Sequence, residues 1–531
     1  MPDSYASTNE GLLLIANGID PVLRWDSYTS TTETAGVEPP ATGAAGAGSG
    51  VGTLTGTYNV YVSYVRRDGF ESALSPISGQ FILNANARID YTGVPVSPDN
   101  RVSARKIWRN TNGQARTYYL DVLIEDNVST TADSSTPDTL LAVSEKFPIF
   151  DNRNLLLTLD NSPPPDTKPF LCFSQDRVYA AGYQSYAEGS CEAVQGSAVV
   201  TGRGTQWRSN WAGRLIYIEG ADATYEIASV DETEQTITLT ENYTGLTDLF
   251  AGYAVRPTPA ECSLIYFSLA GSAEAWPPTN AIAVPDEDDE VTGLMPMYGF
   301  QYILKRRSIY KFTAQNDPLA DGYMFLNARR GCVNNRCWVV VDEHAFLLDE
   351  RGVVLFNGGQ EPEDVSGPIQ DLFRDGSDSP INWGASRFFH AGHSPGESAI
   401  RFFVAFRGDY LPRHALCFCY VLRRWWIEAY PRPVGCSVLG AAGSVSHGWG
   451  SKAEQLYVGS DAGEIFGFGA QVKRFETWQE HHVAALGKEW DFMIFGLVKF
   501  CQLAMENNPN VLEALFTPAE CVLTSSELSD Y

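Results

Sequence analysis

Apolar and polar positions alternate along most of this chain in short runs closed by polar turns, with a period of two. Tyr58, Val60, Val62 and Tyr64 interleave with Asn59, Tyr61, Ser63 and Val65, the pattern of a strand with one face in a core. Residues 11–27, GLLLIANGIDPVLRWDS, read as two short strands around an Asn17-Gly18 turn. The stretch Ala260–Phe312 is the most regular. A strand at Leu264–Phe267 meets a Trp276-Pro277-Pro278 stop, and an acidic turn follows at Asp286–Glu290. Two further strands, Gly299–Leu304 and Ser308–Phe312, are split only by Lys305-Arg306-Arg307. Short strands joined by tight polar turns, with an aromatic near each strand end, predict four-stranded sheets of the propeller-blade type. The pattern returns at Phe170–Tyr183, Cys337–Asn357, Ala399–Arg407 with Ala415–Glu428, and Glu454–Phe468. Counting the N-terminal hairpin, about six such units are expected, with the first strands pairing with a late unit to close the ring.

Two stretches interrupt this repeat. Residues 36–147 form a unit of their own, with further strands at Ala87–Tyr91, Ala104–Arg109 and Thr117–Ile124. About six strands in ~90 residues suit an immunoglobulin or fibronectin-like sandwich. The run YVSYVRRDGFESALSP, with KIWRNTNG after it, resembles the fibronectin-like insert of many phage tail proteins. Ahead of it, Thr29–Gly52 is rich in Thr, Gly, Ala and Pro, with glycines at 46, 48, 50 and 52. A nucleotide-binding glycine loop needs a strand before it and a helix after it. Here polar residues precede and a strand follows, so a flexible linker is expected.

The second interruption, residues 190–258, runs strand, Gly-Thr-x-Trp, strand, Tyr-x-Ile, Asp-Glu-Thr turn and Thr-Ile-Thr-Leu strand. It resembles a small β-barrel domain inserted into phage structural proteins. Residues 1–35, 148–189 and 259–470 are left to the propeller. From 471 to 531 the period of two is lost. Asp491–Glu506 is apolar at helical spacing and is stopped by Asn507-Asn508-Pro509, so a short helical C-terminus is expected. The expected fold class is therefore mainly β: a β-propeller carrying an inserted fibronectin/Ig-like sandwich and a second small β-barrel domain.

At 531 residues, 44% hydrophobic and 19% charged, the chain can build several cores. No apolar run reaches the ~18 residues of a membrane-spanning helix, and MPDSYASTNEG has no basic or apolar leader segment, so folding in the cytoplasm is expected. Ten cysteines are too few for a disulfide scaffold in so long a chain and are expected to be reduced, mostly buried, small hydrophobes. The net charge of −26 changes the picture most. A protein that grips nucleic acid needs a basic surface; an acidic wall instead repels phosphates and lets a duplex pass.

Candidate chemistry is sparse. His390-x-x-His393 with Glu397 has the wrong spacing for a zinc hydrolase, and Gly392, Pro395 and Gly396 predict a loop there. The turn Asp461–Phe466 matches part of a sialidase Asp-box, once, with Gly459 in the serine position. No catalytic, metal or cofactor residues are assigned. The candidate channel-lining or interface residues are the acidic turn Asp286, Glu287, Asp288, Asp289 and Glu290, the basic groups Lys305, Arg306, Arg307, Arg329, Arg330, Arg423 and Arg424, and the pair Trp425 and Trp426. Arginines at a subunit edge pair with carboxylates through a bidentate fork. Adjacent tryptophans on a strand point oppositely, one to a core and one to an interface.

The order small residue, Trp-Pro, Asn-x-Ile, acidic turn, Thr-Gly-Leu, aromatic-Gly, strand, basic turn, Ser-Ile-Tyr resembles the tail nozzle or hub proteins of short-tailed bacteriophages, described as DNA-stabilisation proteins. The resemblance implies a structural virion protein of the tail, assembled in the host cytoplasm. It implies a homo-hexameric ring below the portal and the head-to-tail adaptor, contacts with tail fibre or spike proteins, and genomic DNA passing through without sequence-specific binding. No enzymatic activity follows from it. The alternatives are a glycan-recognising receptor-binding tail protein and a propeller glycosidase. KFCQLAMENNPNVLEALFTP resembles a helical piece of a nucleotidyltransferase family, but that family's Gly-Ser followed by paired aspartates is not found upstream, where Gly459-Ser460 is followed by Asp461 alone, so no transferase activity is expected.

Overall fold

A computed structural model describes residues 4–7, 11–26, 31–114, 116–147, 149–150, 156–157, 161–286, 288–314, 317–374, 380–441, 454–463 and 465–468. The expected C-terminal helix Asp491–Glu506 and the rest of 471–531 lie outside the described residues. The chain is mainly β. It divides into two compact units, residues 1–301 with 312–324 and residues 302–311 with 325–531.

The repeating element is the antiparallel meander, in which each strand pairs with the next in sequence, the sheet of a propeller blade. The first meander is Ser4–Ser7, Leu13–Ala16, Leu23–Trp25 and Glu33–Thr34. The second is Phe170–Ser174, Arg177–Ala181, Leu264–Phe267 and Ala281–Ala283. The third is Val291–Met297, Phe300–Lys305, Ile309–Thr313 and Tyr323–Ala328, and the fourth Trp338–Val341, His344–Asp349, Gly352–Phe356 and Glu363–Asp364. The fifth is His390–Ser394, Ala399–Val404, His414–Cys419 and Arg424–Ala429. A sixth sheet pairs Val434–Ala441, Glu454–Ser460 and Ile465–Phe468. Local turn chemistry sets the sequential order. Gln175 and Asp176 both take positive φ, as do Tyr298 and Gly299, the backbone of a two-residue turn whose twist matches antiparallel strands. Among the described residues the N-terminal strands complete a sheet with one another and pair with no late strand, contrary to the expected closure.

Between the first and second meanders lies the sandwich. Its sheets are Ala45–Tyr58, Phe81–Thr92 and Thr131–Ser134 on one side and Val60–Arg66, Val102–Asn110, Tyr118–Ile124 and Lys146–Phe147 on the other. Leu54, Tyr58, Leu83, Ile89 and Tyr91 from one sheet pack on Val60, Val62, Ile107 and Ile124 from the other, which is why the alternation was visible in sequence. The glycine-rich stretch read as a linker is a strand. Gly46 pairs with Tyr91, yet a Cβ on it would lie 2.5 Å from the Phe81 ring, so the ribbon of Ala45–Tyr58 and Phe81–Thr92 folds back on itself. Gly46, Gly48 and Gly52 supply space for that fold, where a Cβ would come within 3 Å of Phe81, Leu83 and Ala87.

The barrel interrupts the second meander between Arg177–Ala181 and Leu264–Phe267. Its seven strands end in Asp248–Ala251 at one edge and Tyr253–Arg256 at the other, and only Gly252 separates these two in sequence. A sheet whose two edges are adjacent residues must curl until they meet. Trp207, Trp211, Ile216, Ile227, Ile237 and Val255 fill the interior. The ends of the insertion are held together, since Tyr186 and Val255 exchange two backbone hydrogen bonds of 2.9 and 2.8 Å. Excising 186–255 and joining Ser185 to Arg256 through two glycines should therefore leave the second meander folded. Calorimetry is expected to show the loss of one transition with the others kept; a chain with no cooperative transition would show that the barrel belongs to the main core.

Candidate functional site

The acidic turn is on the surface: Asp286, Asp288 and Glu290 are exposed, and Asp286 has φ +62. Glu287 lies outside the described residues. The turn is tied down by Asp289 N to Asp286 O, 3.0 Å, and by Tyr183, whose hydroxyl donates to Glu290 Oε1 at 2.7 Å. The Tyr183 phenol is pushed well up, first by burial and then by this carboxylate.

The basic groups do not converge. Lys305 is fully buried, with Nζ 5.6 Å from the Tyr310 ring centroid. Arg306 pairs with Glu350 at 2.8 Å. Arg330 is bound inside the fourth meander by Asp349 at 2.5 Å and Asp364 at 3.1 Å. Arg307 and Arg329 are exposed; the Arg329 carbonyl accepts from Arg351 Nη2 at 2.9 Å. Arg423 pairs with Glu363 at 2.8 Å, and Arg424 is exposed. Lys305 thus serves the interior of the fold, and Arg330, part-exposed, is taken up by two carboxylates of its own sheet. Trp426 also turns inward, packing on Cys417 and Leu456 with Nε1 donating to Glu428 Oε1 at 2.8 Å. Trp425 takes the opposite face, as strand alternation requires, against Phe418 at 4.8 Å between ring centroids.

Two polar networks escaped the reading of the sequence. In the first, Glu274 receives Arg66 Nη1 at 2.9 Å and Nη2 at 2.7 Å, Arg24 Nη1 at 2.9 Å and the Gly36 amide at 2.8 Å. One carboxylate thereby joins the first meander, the sandwich and the second meander. Burial alone would push its pKa up; the Arg66 hydrogen bonds and charge, the Gly36 amide and Arg24 outweigh that and hold it below the ordinary carboxylate value. Arg24, Glu33, Arg66, Arg67, Asp68 and Arg101 line a cleft of about 320 Å³ above it.

The second network is in the fifth meander. Arg401, fully buried, makes two 3.1 Å hydrogen bonds to the Glu428 carboxylate and also reaches Glu397. Tyr430 donates to Glu428 Oε2 at 2.5 Å. The one signal in sequence was a charged residue inside the apolar run Ala399–Ala405.

The His390 segment is a strand, His390–Ser394, where a loop was expected. Three residues apart on a strand, the two imidazoles face opposite sides. His390 stacks on Phe403 at 4.6 Å, and His393 Nε2 lies 3.3 Å from the Tyr420 hydroxyl, so they cannot share a metal ion. Burial pulls the His390 pKa down to about 3. An unfolded histidine titrates near about 6.5, so below that pH the unfolded chain takes up a proton that the folded chain refuses. Stability is full above that value and falls on acidification, by about 2 kcal/mol at pH 5 from this group. His390→Phe should flatten this limb in urea midpoints taken at pH 7 and pH 5; an unchanged difference between the two would refute it.

Seven of the eight described cysteines are buried, Cys436 is exposed, and all eight are free thiols. Burial pushes the Cys172 and Cys191 thiols up to about 12, which keeps them unreactive.

No protein-family model and no curated protein sequence matches the chain. Among solved structures it is similar to Sqt1 of Saccharomyces cerevisiae, at 7% identity and TM-score 0.25 over 88% of this chain and 94% of that one. It is also similar to the endosialidase of phage phi92, at 10% identity and TM-score 0.15 over 80% and 59% respectively. A third is the GH74 enzyme of Niastella koreensis, at 11% identity and TM-score 0.23 over 87% and 74%. Likenesses this distant assign no activity; the sheet order itself carries the fold.

Proposed function

We propose that this chain is a structural virion protein, the tail nozzle or hub subunit of a short-tailed bacteriophage. Six copies would form a ring beneath the portal and adaptor, bind fibre or spike proteins at its outside, and let the genome leave through the centre. The observation that supports it most is how the residues carrying the resemblance fold. Ala275 and Trp276 are buried, Trp276 Nε1 donates to Ala273 O at 2.8 Å, and Asn280 leads into the strand Ala281–Ala283. The acidic turn, the strand Val291–Met297 and the Tyr298-Gly299 hairpin follow, so the stretch is the joint between two consecutive meanders. Beside it, Glu274 fastens the sandwich. A residue order used to join sheets suits a part whose work is to hold shape.

The proposed mechanism is mechanical and electrostatic, and no bond is made or broken. Exposed carboxylates would keep the duplex off the wall, while three of the six candidate arginines, Arg306, Arg330 and Arg423, are paired with carboxylates of the chain itself. Negative-stain projections of the purified protein or of virion tails test this. Sixfold rings on the tail axis are expected. Three copies on the tail periphery, or cleavage of host polysaccharide by the purified chain, would overturn it.

A further inference from the structure

Two buried cations, Lys168 and Arg214, lack a counter-charge. Lys168 is fully buried and Arg214 is 5% exposed, and neither has a carboxylate within ion-pair distance among the described residues. The other buried arginines, Arg66, Arg105, Arg109 and Arg401, are all paired with carboxylates. Lys168 Nζ donates to the Glu261 carbonyl at 2.5 Å and lies 5.4 Å from the Tyr266 ring centroid. The Arg214 guanidinium lies 5.2 Å from the Trp211 ring centroid and donates no hydrogen bond among the described residues. The buried Trp211 Nε1 finds no acceptor either. A ring face offsets only part of what it costs to take a cation out of water, and a buried donor without a partner marks a place for a water or an ion.

The two cations belong to one place, the root of the barrel. Asn210 Nδ2 donates to Asp166 Oδ2 at 2.8 Å, which brings the barrel turn Ser209–Trp211 against the run that carries Lys168. Leu215 pairs with Arg256, so Arg214 stands beside the exit of the barrel. The single-turn helix Pro259–Cys262, whose Glu261 carbonyl holds Lys168, starts there. Burial pulls Lys168 down to about 8 and lowers Arg214 too; the carboxylate of Glu261 on both and that of Asp166 on Arg214 act from a distance and do not outweigh it. Arg208, the third cation here, is spent on Asp20.

We infer that Arg214, backed by Lys168, binds a small inorganic oxyanion of the phosphate class, and that this ion seats the barrel on the second meander. A guanidinium fork offers two N–H groups to two oxygens of one ion, and the ammonium sealed behind it adds its charge. Burial decides the size of the ligand. A guanidinium with 5% of its residue's surface open admits a free ion and excludes a nucleic-acid backbone or a protein segment. The inference is independent of the proposed ring and stands or falls without it.

The probe is inorganic phosphate, and calorimetry of the full chain reads its effect at constant ionic strength set with chloride. At about ten times the dissociation constant, the transition that disappears on excising 186–255 should rise by about 5 °C or more relative to the others. A general salt effect would move all transitions together. Arg214→Met should abolish phosphate binding in titration calorimetry, and Lys168→Met should weaken it about tenfold or more. Without phosphate both variants should melt no lower than the parent, because each removes a buried cation that lacks a counter-charge. If either melts well below the parent without phosphate, Asp166 and Glu261 already compensate the pair and the inference fails. It fails equally if phosphate leaves the parent unmoved, or shifts the parent and Arg214→Met alike.

Discussion

Arg401→Met should lower the stability of the unit that contains it by about 3–5 kcal/mol, because it leaves a buried carboxylate without its cation. Arg401 is fully buried and Glu428 nearly so, and the two share a pair of 3.1 Å hydrogen bonds. Burial pushes the Glu428 carboxyl up, but the Arg401 charge and hydrogen bonds, with those of Tyr430 and Trp426, hold it below the ordinary value. Removing the cation leaves only the Tyr430 and Trp426 donors to offset the desolvation. The double variant Arg401→Met with Glu428→Leu should recover most of the loss, since an apolar replacement of both partners has no charge left to bury. Glu397 would then be freed toward solvent, where it is already partly exposed. Calorimetry of the full chain reads both, at roughly 2–4 °C per kcal/mol for a unit of this size. If the single variant melts with the parent, the pair contributes nothing and the network is incidental.

Glu274→Ala is expected to cost a similar amount, about 3–5 kcal/mol, in the other unit. Its side chain is 5% exposed and that of Arg66 4%, so both guanidinium groups aimed at it lose their counter-charge in a dry place. Arg66 keeps Asp68 at 2.7 Å and Arg24 keeps Glu33 at 2.9 Å, and those pairs set the upper limit on the damage. The sandwich should become more sensitive to trypsin than the barrel, because Glu274 fastens only the former. The acid response has a definite sign. The folded pKa of Glu274 lies below its unfolded value, so its contribution is complete above that unfolded value, about 4.3, and is lost as pH falls through the depressed one. Glu274→Ala should therefore differ most from the parent at pH 7, and the gap should narrow progressively as pH falls below about 4.3. A gap that stays constant across that range would mean that the carboxylate acts by packing and not by charge.

Two misreadings show where local pattern failed. Gly46, Gly48, Gly50 and Gly52 carry no side chains, so periodicity had nothing to register, and composition pointed to a linker; in the strand Gly46 and Gly48 leave room for Phe81 and Leu83, Gly52 for the Ala87 backbone, and Gly50 takes a positive φ. His390–Ser394 looked like a loop because of Gly392 and nearby Pro395. Gly392 is instead a close-approach position, where a Cβ would come within 2.7 Å of Leu456 in the next sheet. In both cases the deciding neighbour is far away in sequence.

What the sequence determined by itself was everything that depends on adjacent residues. The period of two set the strands, the Gln175-Asp176 and Tyr298-Gly299 pairs set tight hairpins, and the meanders, the sandwich and the barrel followed, since each closes over a short length of chain. Only the tertiary structure decided which charges stay exposed and which are framework. Arg66 meets Glu274 across 208 residues, Arg401 meets Glu428 across 27, and Trp425 and Trp426 part company only because one face of their sheet meets a core. A charge has no period. Its role is fixed by the dielectric and the partner that folding brings to it, and neither is written in its neighbours.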